Sequence, residues 1–201
     1  MRVIHDNPST LFPEKLFIIR NRITNILSSF IPKIYRCEAK FLEFNDEKLT
    51  VKDFEVFTEM GCVEEIIFSC VKIICDDGSF LAFEDIMKRL QNIRIVDISY
   101  AGDTFYTLQT AHILSDLPFK NKIQNFSLRQ VNFQFDPDAF AKFVQKNAAS
   151  NCQIKIFGPS VNGPINLPFR KNFYETVEKT IDKTWKYPHQ PILRLTPRHS
   201  Y

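Results

Sequence analysis

The chain repeats one short apolar phrase: Val63-x-x-Ile66-x-Phe68, then Ile93-x-x-Val96-x-Ile98, then Ile123-x-x-Phe126-x-Leu128. Corresponding positions are 30 residues apart each time, and a segment with helical apolar spacing follows each copy. A clipped copy, Ile154-x-Ile156, comes later, and a looser one, Ala39-x-x-Leu42-x-Phe44, comes earlier. Self-similarity at a fixed period is typical of stacked repeats, in which each unit buries its apolar face against its neighbours. The sequence therefore predicts an α/β solenoid of about four strand-helix units.

Helix start and stop signals follow the predicted strands. Thr50 and Ser79 are candidate N-caps, and Asp136 followed by Pro137 is the clearest helix start in the chain. Gly61 and Asn147 are suited to end helices. The predicted helices run over residues 50–60, 79–90, 107–117 and 136–147.

Two further helices are expected to cap the repeats. Apolar positions with helical spacing from Pro13 to Phe30 predict an N-terminal helix that covers an open sheet edge. A helical face of Phe173, Val177, Ile181 and Trp185 predicts the C-terminal cap. The predicted organisation is an N-terminal segment and capping helix at 1–35, the repeat region at 36–158, a loop and C-terminal capping helix at 159–187, and a basic tail at 188–201.

Composition narrows the class of protein. The net charge of +3, from 26 basic and 23 acidic side chains, is too small an excess to favour nucleic acid as a partner. Five cysteines without a Cys-x-x-Cys pair indicate reduced thiols in an intracellular protein, cytoplasmic or nuclear. No apolar run reaches the roughly 18 to 20 residues of a spanning helix, and no secretory signal is visible, so no membrane association is expected.

Motifs that carry chemistry do not appear in the sequence. Its five glycines form no phosphate-cradling loop, and neither a Gly-x-Ser-x-Gly elbow nor a His-Glu-x-x-His pair occurs. A lone histidine such as His112, within a predicted helix, is more often a surface or core residue than a catalyst. We therefore predict no catalytic residue, no metal and no cofactor, and expect a protein that is not an enzyme.

The strand-helix units resemble leucine-rich repeats, whose strand reads L-x-x-L-x-L before an Asn or Cys and a helix. The resemblance implies that strand positions 1, 4 and 6 face the core, while the residues between them line an open parallel sheet. Where that family has an Asn that binds the backbone of the next turn, this chain has Val71, Ala101 and Val131. This departure predicts an irregular solenoid.

A narrower resemblance involves residues 110–114 (TAHIL), 119–123 (FKNKI), 135–140 (FDPDAF) and the Lys146-Asn147 helix end. These segments are similar to nematode F-box-associated, leucine-rich-repeat-like proteins. The resemblance implies a Skp1-type adaptor or a ubiquitin-ligase target as partner, with the chain as a substrate receptor of an SCF-type ligase. The residues before the first predicted strand contain one predicted helix, whereas an F-box needs several, so the F-box itself is not evident.

The favoured hypothesis is a non-enzymatic module that binds a protein partner through the exposed sheet. Alternation along the strands gives the predicted partner-binding residues as Glu43, Glu65, Ile67, Ile95, Asp97, Asn125, Ser127, Arg129, Lys155 and Phe157. The partner's identity is not encoded in any motif. The ligase substrate receptor is the alternative by resemblance, and a hydrolase or transferase whose site assembles only in space is a weaker one. RNA binding through Phe157, Lys155 and Arg129 is disfavoured because Glu65 and Asp97 share their face.

Overall fold

The structure is a computed structural model that describes residues 16–20, 31, 34, 36–99, 105–129, 131, 135–157 and 167–196. The strands are β1 (Leu16–Arg20), β2 (Phe41–Asn45), β3 (Lys48–Thr50), β4 (Glu65–Ser69), β5 (Lys72–Ile74), β6 (Ile95–Ser99), β7 (Ile123–Arg129), β8 (Ala148–Phe157) and β9 (Ile192–Thr196). The helices are α1 (Val51–Thr58), α2 (Phe83–Lys88), α3 (Thr110–Asp116), α4 (Pro137–Asn147) and α5 (Leu167–Thr184). The fold is α/β, as predicted.

The main sheet holds seven strands side by side in chain order, β1-β2-β4-β6-β7-β8-β9. Each of its neighbouring pairs is parallel. Parallel neighbours need a crossover connection, and α1 to α5 supply one between each successive pair from β2 to β9. The helices also follow chain order, since α2 contacts α3, α3 contacts α4 and α4 contacts α5.

The repeated apolar phrase pairs with itself across the sheet. One cross-strand row is Leu42, Ile66, Val96, Phe126 and Ile154, and the next is Phe44, Phe68, Ile98, Leu128 and Ile156. Each of these side chains is at most 5% exposed. The prediction that the phrase marks the buried positions of parallel strands is therefore confirmed.

Phenylalanine rings join the sheet to the helices. The Phe126 ring on β7 lies 5.0 Å from Phe143 and 5.9 Å from Phe140, both on α4. Phe140 in turn stacks on Phe173 of α5, with 5.4 Å between ring centroids. Aromatic pairs in tilted and offset arrangements at such distances stabilise a core beyond their buried area. Phenylalanine is therefore a major component of the core, where Phe126, Phe140 and Phe143 are at most 2% exposed.

Two of the three predicted N-caps are confirmed. The Thr50 side chain accepts from the Asp53 amide at 3.1 Å, and Asp136 accepts from the Ala139 amide at 2.6 Å. The prediction for Ser79 is wrong, because its amide and hydroxyl both donate to the Asp77 carboxylate in the preceding turn. The helix α2 begins only at Phe83, and it buries Phe83, Ile86 and Met87.

Both predicted termini need correction. The N-terminal helix is wrong for Leu16–Arg20, which form β1 along the edge of β2. A short apolar run with β-branched residues fits either structure, and β2 offers backbone partners that only a strand can use. The predicted tail is wrong for Ile192–Thr196, which form β9 beside β8. The other residues of 1–30, the loop at 158–166 and residues 197–201 lie outside the described residues.

An asparagine ladder does occur, but at the turns from helix to strand. The Asn92 side chain donates to the Gly61 carbonyl at 2.5 Å, and the Asn121 side chain donates to the Asn92 carbonyl at 2.6 Å. At the opposite end of the strands, Val71 and Val131 are buried, and backbone bonds such as Cys70 N to Ser99 O link adjacent turns. The chain has no Asn after these strands, but Asn92 and Asn121, which precede β6 and β7, make the corresponding side-chain bonds to the backbone of the preceding unit. Ala101 lies outside the described residues.

Candidate functional site

The predicted partner-binding residues lie together on the sheet face that alternates with the buried rows, which we call the open face. Three cross-strand rows hold them: Glu43, Ile67, Asp97, Ser127 and Lys155; Glu65, Ile95 and Asn125; and Arg129 with Phe157. We call the first of these the central row. The sheet register therefore brings all the predicted residues onto one surface, from β2 to β8.

Ile67 and Ile95 on the open face are diagonal neighbours. Ile67 pairs with Asp97, and Ile95 pairs with Glu65, so each apolar side chain stands beside an acid on the next strand. Both isoleucines are half-buried. The open face is therefore not one apolar patch; it offers small apolar contacts set among carboxylates.

Two of the predicted residues are less accessible than an open sheet implies. Ser127 is only 2% exposed, because its short side chain stands between the longer Asp97 and Lys155 on the neighbouring strands. Glu43 is 8% exposed, and β1, which the sequence did not predict, runs alongside it with Ile18 in register. Arg129 is exposed, and the remaining predicted residues are half-buried.

The structure adds residues that the prediction missed. In β9, Ile192 is in register with Gln153 and Arg194 with Lys155, so both extend the open face by one strand. The signal was present as alternation in ILRLT, between Pro191 and Pro197. The surrounding basic residues and prolines indicate a tail instead.

Charge changes sign along the central row. Asp97 lies on the β6 side of Ser127, and Lys155 followed by Arg194 lies on the β8 and β9 side. No described residue forms an ion pair with any of these three groups. Two strand spacings, about 10 Å, separate Asp97 from Lys155, which is too far for direct pairing. The open face thus presents an acidic side and a basic side that do not neutralise each other.

At the C-terminal ends of β7 and β8, the Arg129 side chain contacts the aromatic ring of Phe157 on the open face. The Arg129 guanidinium lies 4.8 Å from the centre of the Phe157 ring, within cation–π range. Below it, the Tyr106 hydroxyl donates to the Arg129 carbonyl at 3.1 Å. Burial raises the pKa of Tyr106, so this phenol stays protonated as a donor. These contacts fix the backbone from which Arg129 extends.

Charged side chains form ion pairs at the N-terminal ends of β2, β4 and β6. Glu64 lies between Lys40 at 2.9 Å and Arg94 at 3.0 Å. The hydrogen bond from Lys40, aided by the positive charge of Arg94, lowers the pKa of Glu64 below its usual range. Three adjacent repeats are therefore cross-linked by charge at this position.

Among the described residues, a surface groove, His112 and the cysteines bear on the requirements of a catalytic or metal site. A groove near the ends of α1 and α2 is lined by residues that include Glu55, Arg89, Asn92 and Lys120, with neither histidine nor cysteine among them. His112 is half exposed, with Nε2 3.8 Å from an Asp136 carboxylate oxygen that belongs to a helix cap. Within the described ranges, no group of three or more His, Cys, Asp and Glu side chains is placed to hold a metal ion. None of the five cysteines forms a disulfide, and burial raises the pKa of Cys152 to about 12, which keeps that thiol protonated and unreactive.

Helices in the described part of the chain include none that is both long enough and apolar enough to cross a membrane. No protein-family model matches the chain, and no curated protein or solved structure shows a significant match. The resemblances noted from the sequence therefore stay predictions.

Proposed function

We propose that the protein is a non-enzymatic interaction module, built as an irregular leucine-rich-repeat-like solenoid, that binds a protein partner through its open face. One observation supports this above others: the strand register collects the predicted residues into adjacent rows on one face of a continuous parallel sheet. A surface that mixes half-buried apolar groups with unpaired charges of both signs suits a protein partner.

The helices in the described part of the chain pack on the side of the sheet opposite the open face. On β6, Val96 and Ile98 are buried on the side that faces the helices. Ile95 and Asp97 of the same strand are half-buried on the opposite side. Burying Ile67 and Ile95 under a partner would add apolar contact, and the flanking charges would set orientation and association rate.

The test is a quantitative pull-down from native extract with a doubly substituted chain, Ile67→Lys with Lys155→Glu. Lysine at 67 stands between Glu43 and Asp97 in the central row, so the fold is expected to tolerate it. We expect a discrete protein captured by the wild-type chain to be lost from this variant.

The matched control is Met60→Lys with Lys142→Glu, which makes the same changes of residue class at exposed positions outside the sheet. Circular dichroism would show that both variants are folded. Equal capture by the two variants would remove the open face as the binding site. A Skp1-type adaptor among proteins captured only by the wild type would extend the proposal to a ligase receptor.

A further inference from the structure

On the open face, side chains of opposite charge lie at equal distances on the two sides of β7. In the five strands β4-β6-β7-β8-β9, the central row reads Ile67, Asp97, Ser127, Lys155 and Arg194. The acid and the base are each one strand from β7, and the small, buried Ser127 stands between them. A surface with this order is complementary in charge to a copy of itself that is rotated by 180° about an axis parallel to β7, so that the strand order is reversed.

We propose that the partner of the open face is a second copy of this chain, packed face to face about a twofold axis that runs along β7. This inference rests on the proposed function, because it names the partner of the same face. The rotation places Asp97 of each copy opposite Lys155 of the other, and Ile67 opposite the aliphatic stem of Arg194. A twofold interface makes each such contact twice.

Charge complementarity favours this occupant. Within one chain, Asp97, Lys155 and Arg194 have no ion-pair partner among the described residues. In the twofold pair each Asp97 gains a base and each Lys155 gains an acid. Arg129 lies on the axis strand, where its own symmetry mate would repel it, but its guanidinium is held over the Phe157 ring toward β8.

The size of the face sets the expected strength. Strands about 4.8 Å apart and about 17 Å long give the five strands that overlap in this pair a flat area of about 400 Å². Stable interfaces bury about 800 Å² on each partner. The dimer is therefore a weak one that forms at high protein concentration and loosens as salt screens the charges.

The experiment is sedimentation equilibrium of the full chain from about 10 μM to 1 mM, a range suited to weak association. It compares the wild type with Asp97→Lys and with Lys155→Asp. Each reversal leaves a face with like charges on both sides of Ser127, and we expect the dissociation constant to rise at least about tenfold. In an equimolar mixture of the two variants, the two bases of one chain stand opposite the two acids of the other, so dimers should return.

Matched reversals away from the face, Asp76→Lys and Lys142→Asp, at exposed positions, should dimerise as the wild type does. A wild-type chain that stays monomeric over the whole range would overturn the inference, as would variants that dimerise normally or a mixture that fails to restore dimers. If the chain is monomeric yet the pull-down still captures a protein that the Ile67→Lys, Lys155→Glu chain loses, only the second-copy partner is refuted. If both experiments fail, the proposed function fails with it.

Discussion

On the helix-packed face of β6, Val96 and Ile98 are fully buried, whereas Ile95 and Asp97 of the same strand are half-buried on the open face. The same contrast holds on β7, where Phe126 is buried under α4 while Asn125 faces the other way. Since successive strand residues point to opposite sides, each strand serves two purposes at once. The helix-packed face therefore contributes most of the stability from burial, and the open face contributes less.

Two phenylalanines give the sharpest test of this difference. Phe126 packs among Phe83, Phe140 and Phe143, so Phe126→Ala should lower the free energy of unfolding by about 3–5 kcal/mol. Phe157, on the open face, mainly supports the Arg129 guanidinium, so Phe157→Ala should cost about 1 kcal/mol or less. Urea denaturation followed by circular dichroism measures both; similar losses for the two variants would contradict the assignment of the faces.

The asparagine ladder provides the next test, because it stabilises the repeats without contributing to either face. Asn121 donates to the Asn92 carbonyl and accepts from Arg94 at 3.3 Å. Asn121→Ala should lower the free energy of unfolding by about 1 kcal/mol, the usual value of such hydrogen bonds. The nearby Gln124 has an exposed side chain, so Gln124→Ala serves as the control and should leave stability unchanged. Equal effects of the two substitutions would show that the ladder contributes nothing.

The smallest expected effect concerns the charges at the N-terminal side of the strands. The pKa of Glu64 is lowered in the folded state, so its contribution is present above the unfolded pKa and is lost as pH falls through the folded value. Since the carboxylate is partly exposed, the loss should be under about 1 kcal/mol. Urea midpoints between about pH 6 and pH 3 should fall more steeply for the wild type than for Glu64→Gln. Parallel curves would show that the Lys40 and Arg94 contacts do not stabilise the fold.

The periodic part of the chain was the part that sequence reasoning predicted well. Positions such as Ile66, Val96 and Phe126 were assigned correctly because burial on one face imposes a fixed residue type at a fixed interval. The helix starts at Thr50 and Asp136 were also predictable, since an N-cap acts through atoms within three residues. The cap predicted at Ser79 failed because Ser79 donates to Asp77 in a turn and the helix begins only at Phe83, with Ala82 at the N-cap position.

By itself, then, the sequence determined the α/β class, the repeat and the buried face, because these follow from periodicity and from short-range hydrogen bonds. Tertiary structure alone decided that Leu16–Arg20 and Ile192–Thr196 complete the sheet, since a strand is selected by the backbone partners that its neighbour offers. It also decided which open-face residues stand side by side. The placement of Asp97 and Lys155 on either side of Ser127 depends on the register of three strands that are distant in the chain, and no local pattern encodes that distance.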